Sequence, residues 1–172
     1  APQFSTDHLI YNGKNQHPEI TVNDREGNQL KAGTDVMTVF PENTKNAGVY
    51  TITVSLMGNY EGVRKLTYTI IPKGTGLTKV SASSKGFTVQ WKKQKMQING
   101  YELQYSASSK FTKKTTKSIK INKKGTTRKK ITKLKARKKY YVRIRTYKKV
   151  KVNGKTVYLC SGWSKAKKVK TK

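Results

Sequence analysis

Along this chain, hydrophobic positions alternate with polar ones far more often than they recur at helical spacing. In the first half, Val49-Tyr50-Thr51-Ile52-Thr53-Val54-Ser55-Leu56 puts Tyr50, Ile52, Val54 and Leu56 on one face and Val49, Thr51, Thr53 and Ser55 on the other. The first of these faces is the core candidate. Shorter extended runs flank it at 19–22, 36–40 and 66–70. Between them lie the turn Asn23-Asp24-Arg25-Glu26-Gly27-Asn28, the polar loop from Pro41 to Asn46, and Gly58-Asn59-Tyr60-Glu61-Gly62. Past residue 77 the alternation is cleaner. Phe87, Val89 and Trp91 share a face, as do Tyr101, Leu103 and Tyr105. Within 140–147, Tyr140, Val142 and Ile144 are expected inside, and Tyr141, Arg143, Arg145 and Tyr147 outside. Asn153-Gly154, between Val150-Lys151-Val152 and Thr156-Val157-Tyr158-Leu159, is a hairpin signal because both turn positions tolerate positive φ. Short strands with turn signals about every ten residues predict an all-β chain of sandwich type.

Ile70-Ile71-Pro72-Lys73-Gly74-Thr75-Gly76 ends one apolar strand with a proline and two glycines before a new β-branched run starts at Leu77. The expectation is two tandem β-sandwiches, residues 1–73 and 77–172. A chain of 172 residues is long enough for two small domains, and 34% hydrophobic residues suffice for small β cores. No apolar run approaches the roughly 20 residues of a spanning helix, so no membrane insertion is expected.

Charge sharpens the division. Residues 1–73 hold seven acids (Asp7, Glu19, Asp24, Glu26, Asp35, Glu42, Glu61) and seven bases, and so are neutral. The remainder holds 31 bases and a single acid, Glu102, and so carries the whole formal charge of +30.

In the first half, Tyr11-Asn12-Gly13-Lys14, Pro18-Glu19-Ile20-Thr21-Val22, Leu30-Lys31-Ala32-Gly33-Thr34-Asp35, Asn46-Ala47-Gly48-Val49-Tyr50 and Gly58-Asn59-Tyr60-Glu61-Gly62 occur in that order. Together they resemble a bacterial immunoglobulin-like module, over about residues 8–73, of the kind found in tandem on Gram-positive surface proteins. The resemblance implies a stalk or spacer role without catalytic residues. The second half, over about 77–171, resembles a fibronectin type III domain. Trp91 fits that family's buried second-strand tryptophan, and Gly100-Tyr101 opens the matching third strand. Leu134 and Tyr140 fit the tyrosine corner, in which the tyrosine hydroxyl ties back to the preceding loop. Ser161-Gly162-Trp163-Ser164 looks like half of the cytokine-receptor tryptophan–serine motif, whose tryptophan stacks on arginines; Arg143 and Arg145 are the partners this implies. A desolvated stack of this kind contributes about 0.5–2 kcal/mol per pair. The lysine content departs from animal members and resembles C-terminal modules of bacterial surface proteins.

Chemistry is scarce. A two-carboxylate acid/base site cannot be built around Glu102 alone, and no phosphate loop, nucleophile elbow or paired-cysteine spacing is present. His8 and His17 are the only histidines, and are read as surface residues rather than bases or metal ligands. Cys160 cannot form an internal disulfide. It is read as a semi-buried strand residue, the alternative being a reactive thiol whose thiolate the surrounding lysines stabilise. A Lys–Asn isopeptide bond would draw on Lys31, Asn59 and Asp35, against the ordinary reading of hydrogen-bonded side chains. Neither a catalytic residue, a metal nor a cofactor is expected.

The sharpest candidate is the basic run Arg128 to Lys139. Lys129, Lys130, Lys133, Lys135, Arg137, Lys138 and Lys139 would act there as a diffuse field on a polyanion, each neutralised phosphate adding a salt-sensitive contribution. The plain alternative is the solvated face of one strand and its corner, with Ile131 and Leu134 inward. Only six of the 38 bases are arginine, so bidentate readers of nucleic-acid bases are scarce and no specific nucleic acid is expected. The expectation is a monomeric, non-catalytic spacer or adhesion fragment of a secreted or wall-attached protein. Its partners would be an anionic cell-wall polymer or other modules of the same chain. The alternatives are a protein- or glycan-binding module whose charge serves solubility, and non-specific nucleic-acid binding. Ala1 begins the sequence without a charged-then-apolar leader, and Lys170-Thr171-Lys172 is expected to close the last strand.

Overall fold

A computed structural model describes residues 2–6 and 8–172; Ala1 and Asp7, one of the acids counted above, lie outside them. Among the described residues every regular element is a strand. Two compact units form: one runs to Ile71 and takes in Val150–Lys155, and the other holds Pro72–Lys149 and Thr156–Lys172.

The first unit is built from β1 (Pro2–Phe4), β2 (His8–Ile10), β3 (Ile20–Val22), β4 (Val36–Val39), β5 (Gly48–Leu56) and β6 (Val63–Ile71). β5 and β6 form a long antiparallel pair, with β4 on one side and β2, parallel to β6, on the other; β1 and β3 make a second, two-stranded sheet. The alternation on β5 sends Ile52 and Val54 into the core, where Tyr68, Ile70, Val22, Leu30 and Val36 meet them. Buried Tyr68 and half-buried Tyr50 both keep their hydroxyls bonded. Tyr68 donates to the Gln16 carbonyl at 3.0 Å and Tyr50 to the Asn46 carbonyl at 2.7 Å, while the rings stack at 5.6 Å. The turn after β3 is organised by Asp24, whose carboxylate accepts from the Glu26 and Asn28 amides at 2.9 Å each.

The second unit contains β7 (Leu77–Ser83), β8 (Gly86–Trp91), β9 (Gly100–Ser106), β10 (Thr116–Ile121), β11 (Arg128–Ile131), β14 (Lys167–Lys170) and, but for Val150–Val152 and Lys155, β12 (Lys139–Val152) and β13 (Lys155–Cys160). A three-stranded sheet, β11-β8-β7, faces a five-stranded sheet in which β9 and β12 are central, β10 is an edge, and β13 and β14 both pair with β12. Phe87, Val89 and Trp91 from one sheet meet Tyr101, Leu103, Tyr140, Val142 and Ile144 from the other. This is the sandwich architecture that alternation implies. Asn153 and Gly154 have φ of 48° and 76°, the left-handed pair that closes a two-residue hairpin without splaying its strands.

One inside–outside expectation fails. Tyr147 points to the outer face yet is only 1% exposed. Its register partner is Gly100, which offers no side chain to compete for space. The Tyr158 ring covers it at 5.6 Å, and its hydroxyl donates to the Asn122 side-chain oxygen at 2.6 Å. Alternation reports which sheet face a residue occupies; it does not report whether another side chain lies over that face.

Candidate anion-binding face

The outer face of the five-stranded sheet collects most of the chain's unusual side chains. Antiparallel register sets Gln104 beside Arg143 and Glu102 beside Arg145 across β9 and β12, with Ser118 and Lys120 next in line on β10. The links between them are polar and direct. Arg145 donates to the Glu102 carboxylate from Nε at 2.8 Å and from Nη2 at 2.6 Å. Glu102 lies on the outer face of β9, yet its side chain is only 12% exposed and is committed to this pair. Arg143 donates from Nε and Nη2 to one Gln104 oxygen, at 2.9 and 2.7 Å, and the Gln104 amide donates to the Ser118 hydroxyl at 2.8 Å.

Over this row lies Trp163, with the Arg143 and Arg145 guanidinium carbons 4.4 and 4.3 Å from its ring centre. Phe111, from the loop between β9 and β10, takes a second position on Arg143 at 4.1 Å. It does so from a left-handed backbone, φ 49°, which is costly for a bulky residue. The segment carrying Trp163 is pinned to β12 at both ends. The Ser161 hydroxyl accepts the Thr146 amide at 3.0 Å, and the Ser164 hydroxyl accepts the Ile144 amide at 3.1 Å. The two serines thus satisfy β12 donors where β13 has ended and β14 has not begun. Burial, and the neighbouring Arg145 charge, lower the Arg143 pKa, but a guanidinium remains cationic.

At the far end of the same face a cavity of about 190 Å³ is lined by Glu102, Lys120, Arg145, Tyr147, Tyr158 and Cys160. Lys120 and Lys149 both approach the Tyr158 ring, at 3.8 and 5.6 Å. The idea that nearby bases stabilise a Cys160 thiolate is corrected here. Burial pushes the thiol pKa up and Glu102 adds to the rise, against the opposing pull of Arg145 and Lys120.

The other sequence candidates are scattered. Lys129, Lys130, Lys133, Lys135, Arg137, Lys138 and Lys139 are all exposed, while Ile131 is buried and Leu134 packs against the core. They do not share one face. Lys129 and Lys130 alternate on the edge strand β11, the next four wrap the corner to β12, and Lys139 alone joins the outer row, opposite Lys170. Trp91 is buried against Tyr101, with ring centres 5.5 Å apart. Tyr140 packs its ring on Phe87 and Tyr105. Among the described residues its hydroxyl makes no bond to the preceding loop. The hydroxyl that ties loops is that of Tyr101, accepting from the Gln94 amide and donating to the Lys124 carbonyl, both at 3.0 Å. In the first unit, His17 lies exposed against Phe40 at 4.0 Å, and no metal-binding group of His, Cys, Asp or Glu forms among the described residues. Lys31 and Asn59 are exposed, and the Asp35 carboxylate accepts the Lys31 main-chain amide, so these three do not make a buried isopeptide set.

Residues 72–156 match the fibronectin type III domain family. The matched stretch begins where the second unit begins and ends four residues short of the β13 terminus. Domains of this family are generally non-catalytic binding or spacing modules, common in extracellular and cell-surface proteins. No curated protein matches the chain. Among solved structures, it is similar to a β-1,2-glucanase from Parabacteroides distasonis, at 13% identity over 70% of this chain and 17% of that one, with a TM-score of 0.43. It is also similar to the FN1–FN3 domains of chicken CNTN1, at 12% identity over 73% and 42%, with a TM-score of 0.44. The chain spans less than half the length of either.

Proposed function

We propose that this chain is a non-catalytic spacer and adhesion fragment of a secreted or wall-attached bacterial protein. Its first unit is an immunoglobulin-like module, and its lysine-rich fibronectin type III domain associates electrostatically with an anionic cell-envelope polymer. The observation that carries this reading is the disposition of charge. Residues 74–172 hold 31 bases against one acid, and that acid is bonded to Arg145. Residues 74–172 hold no second acidic residue, and a flexible anionic chain brings a negative charge to each contact. Aromatic placement supports an anion over nucleic-acid bases. Trp163 and Tyr158 have cations over their rings and Tyr147 is buried, so these three rings offer little surface for base stacking.

The full chain, incubated with purified cell wall, is expected to bind at low salt and to be released as salt rises. Absence of binding at the lowest salt would overturn the reading. A second reading, a protein- or glycan-binding module, is favoured by one feature of the first unit. A cleft of about 790 Å³ there has Val22, Leu30, Val54 and Leu56 among its lining residues and Arg25 and Arg64 among its charged ones.

A further inference from the structure

The two arginines under Trp163 are not equivalent. Arg145 is neutralised by Glu102, the one acid in residues 74–172, and its Nη2 and Nε are both occupied there. Arg143 has no carboxylate of its own. Its Nε and Nη2 are tethered side-on to the neutral Gln104 oxygen, which is itself held by Ser118. Phe111 and Trp163 stack on the same guanidinium. The side-on tether leaves the end-on fork, Nη1 with the second hydrogen of Nη2, without an acceptor among the described residues. A planar, fixed guanidinium fork with no carboxylate bonded to it matches a pair of oxygens on one anionic group, and little side-chain entropy remains to be lost on binding.

The surroundings extend this point into a track. On the same outer face β14 sets Lys168 beside Tyr141 and Lys170 beside Lys139, so three ammonium groups continue from Arg143 along β12 and β14. We infer that Arg143 is the oriented anchor of the polymer site, gripping one phosphodiester group of a base-free polyol-phosphate chain, while Lys168, Lys139 and Lys170 hold neighbouring phosphates. This rests on the polyanion reading above and deepens it, because it moves the specific contact from the basic corner to the sheet face. A lysine in place of Arg143 keeps the charge and gives up the fork.

The test compares binding of the full chain to poly(glycerol phosphate), to polyglutamate of equal charge and to single-stranded DNA, at fixed ionic strength. The wild type is expected to prefer poly(glycerol phosphate) to both. R143K is expected to lose about tenfold on poly(glycerol phosphate), with a much smaller change on polyglutamate. A variant with Lys133, Lys135 and Lys138 replaced by glutamine is expected to weaken on all three polymers alike, reporting only the diffuse field. Thermal unfolding checks that each variant is folded. Should R143K fail to fold, Gln104→Met serves instead: it leaves the guanidinium, removes its tether, and is expected to lower poly(glycerol phosphate) binding selectively. If the wild type binds the polymers and R143K matches it on poly(glycerol phosphate), the anchor is wrong and the general reading stands. Preference for single-stranded DNA overturns the base-free assignment. Failure of the wild type to bind any of the three overturns both.

Discussion

Two guanidinium groups share the Trp163 ring, so removing that ring takes both stacks away at once. Trp163→Ala is expected to destabilise the chain by about 1–3 kcal/mol in denaturant unfolding, combining lost packing with two cation–π contacts. The Glu102–Arg145 pair has a different signature. Glu102→Gln removes the partner of a largely shielded arginine, with an expected cost of about 1 kcal/mol. It also removes a group that raises the Cys160 pKa, so that pKa is expected to fall in the variant when thiolate absorbance is followed against pH. Alternation places Arg143 and Arg145 as neighbours on one sheet face, and the Ser-Gly-Trp-Ser segment points to their ring. Phe111 and Gln104 are less legible. Phe111 sits in a Ser/Lys/Thr loop that carries no period, and Gln104 looks like any solvent-facing strand residue until register sets it against Arg143. Tyr147 and Glu102 escape for a shared reason, since both lie on an outer face that other side chains cover.

At the scale of elements, the β12–β13 hairpin depends on a turn that few residues can make. Gly154→Val is expected to destabilise by about 1–2 kcal/mol, because φ of 76° is strained for a branched side chain. β5, β8, β9 and residues 140–147 of β12 are readable from period alone, because their alternating positions define a face, whereas β10 offers only Ile119 and Ile121 at alternate positions and is not expected. β1 and β2 are not readable, each being three residues long with only residues 5–7 between them. Their pairing is set by β3 and β6, which a local pattern cannot report. The basic run reads differently once it has an element beneath it. Arg128, Lys129 and Lys130 lie on the edge strand β11, where charge also discourages pairing with another chain. That is a structural use of the same residues and needs no ligand.

At the scale of the whole molecule, the phenols and the thiol contribute to the stability profile with one sign, and Lys148, whose pKa burial lowers, contributes with the opposite sign. Tyr50, Tyr68, Tyr105 and Tyr147 have pKa values raised chiefly by burial, and Cys160 is raised by the same cause. For each, the folded chain holds its proton to higher pH than the unfolded chain does. Stability is therefore fully present below the unfolded pKa and is lost as pH rises towards the folded one. Their contribution to the unfolding free energy is expected to decline from about pH 8.5, through the thiol, and more steeply above about pH 10, through the phenols. Denaturant series across that range on the chain and on Tyr68→Phe check the phenol contribution; a pH dependence unchanged in Tyr68→Phe would contradict the burial of that phenol. Charge asymmetry, by contrast, is legible without any fold, since counting alone assigns +30 to the segment after residue 73. What counting omits is that one guanidinium in that segment, Arg143, is held rigid by a neutral amide rather than by a carboxylate.

The most direct test of the central claim is the salt dependence of binding between the full chain and poly(glycerol phosphate). Counterion release predicts a linear fall of log affinity with log salt, with a slope steeper than about −3 as several phosphates are neutralised together. A flat dependence, or no binding at the lowest salt, would contradict an electrostatic adhesion role for the basic domain.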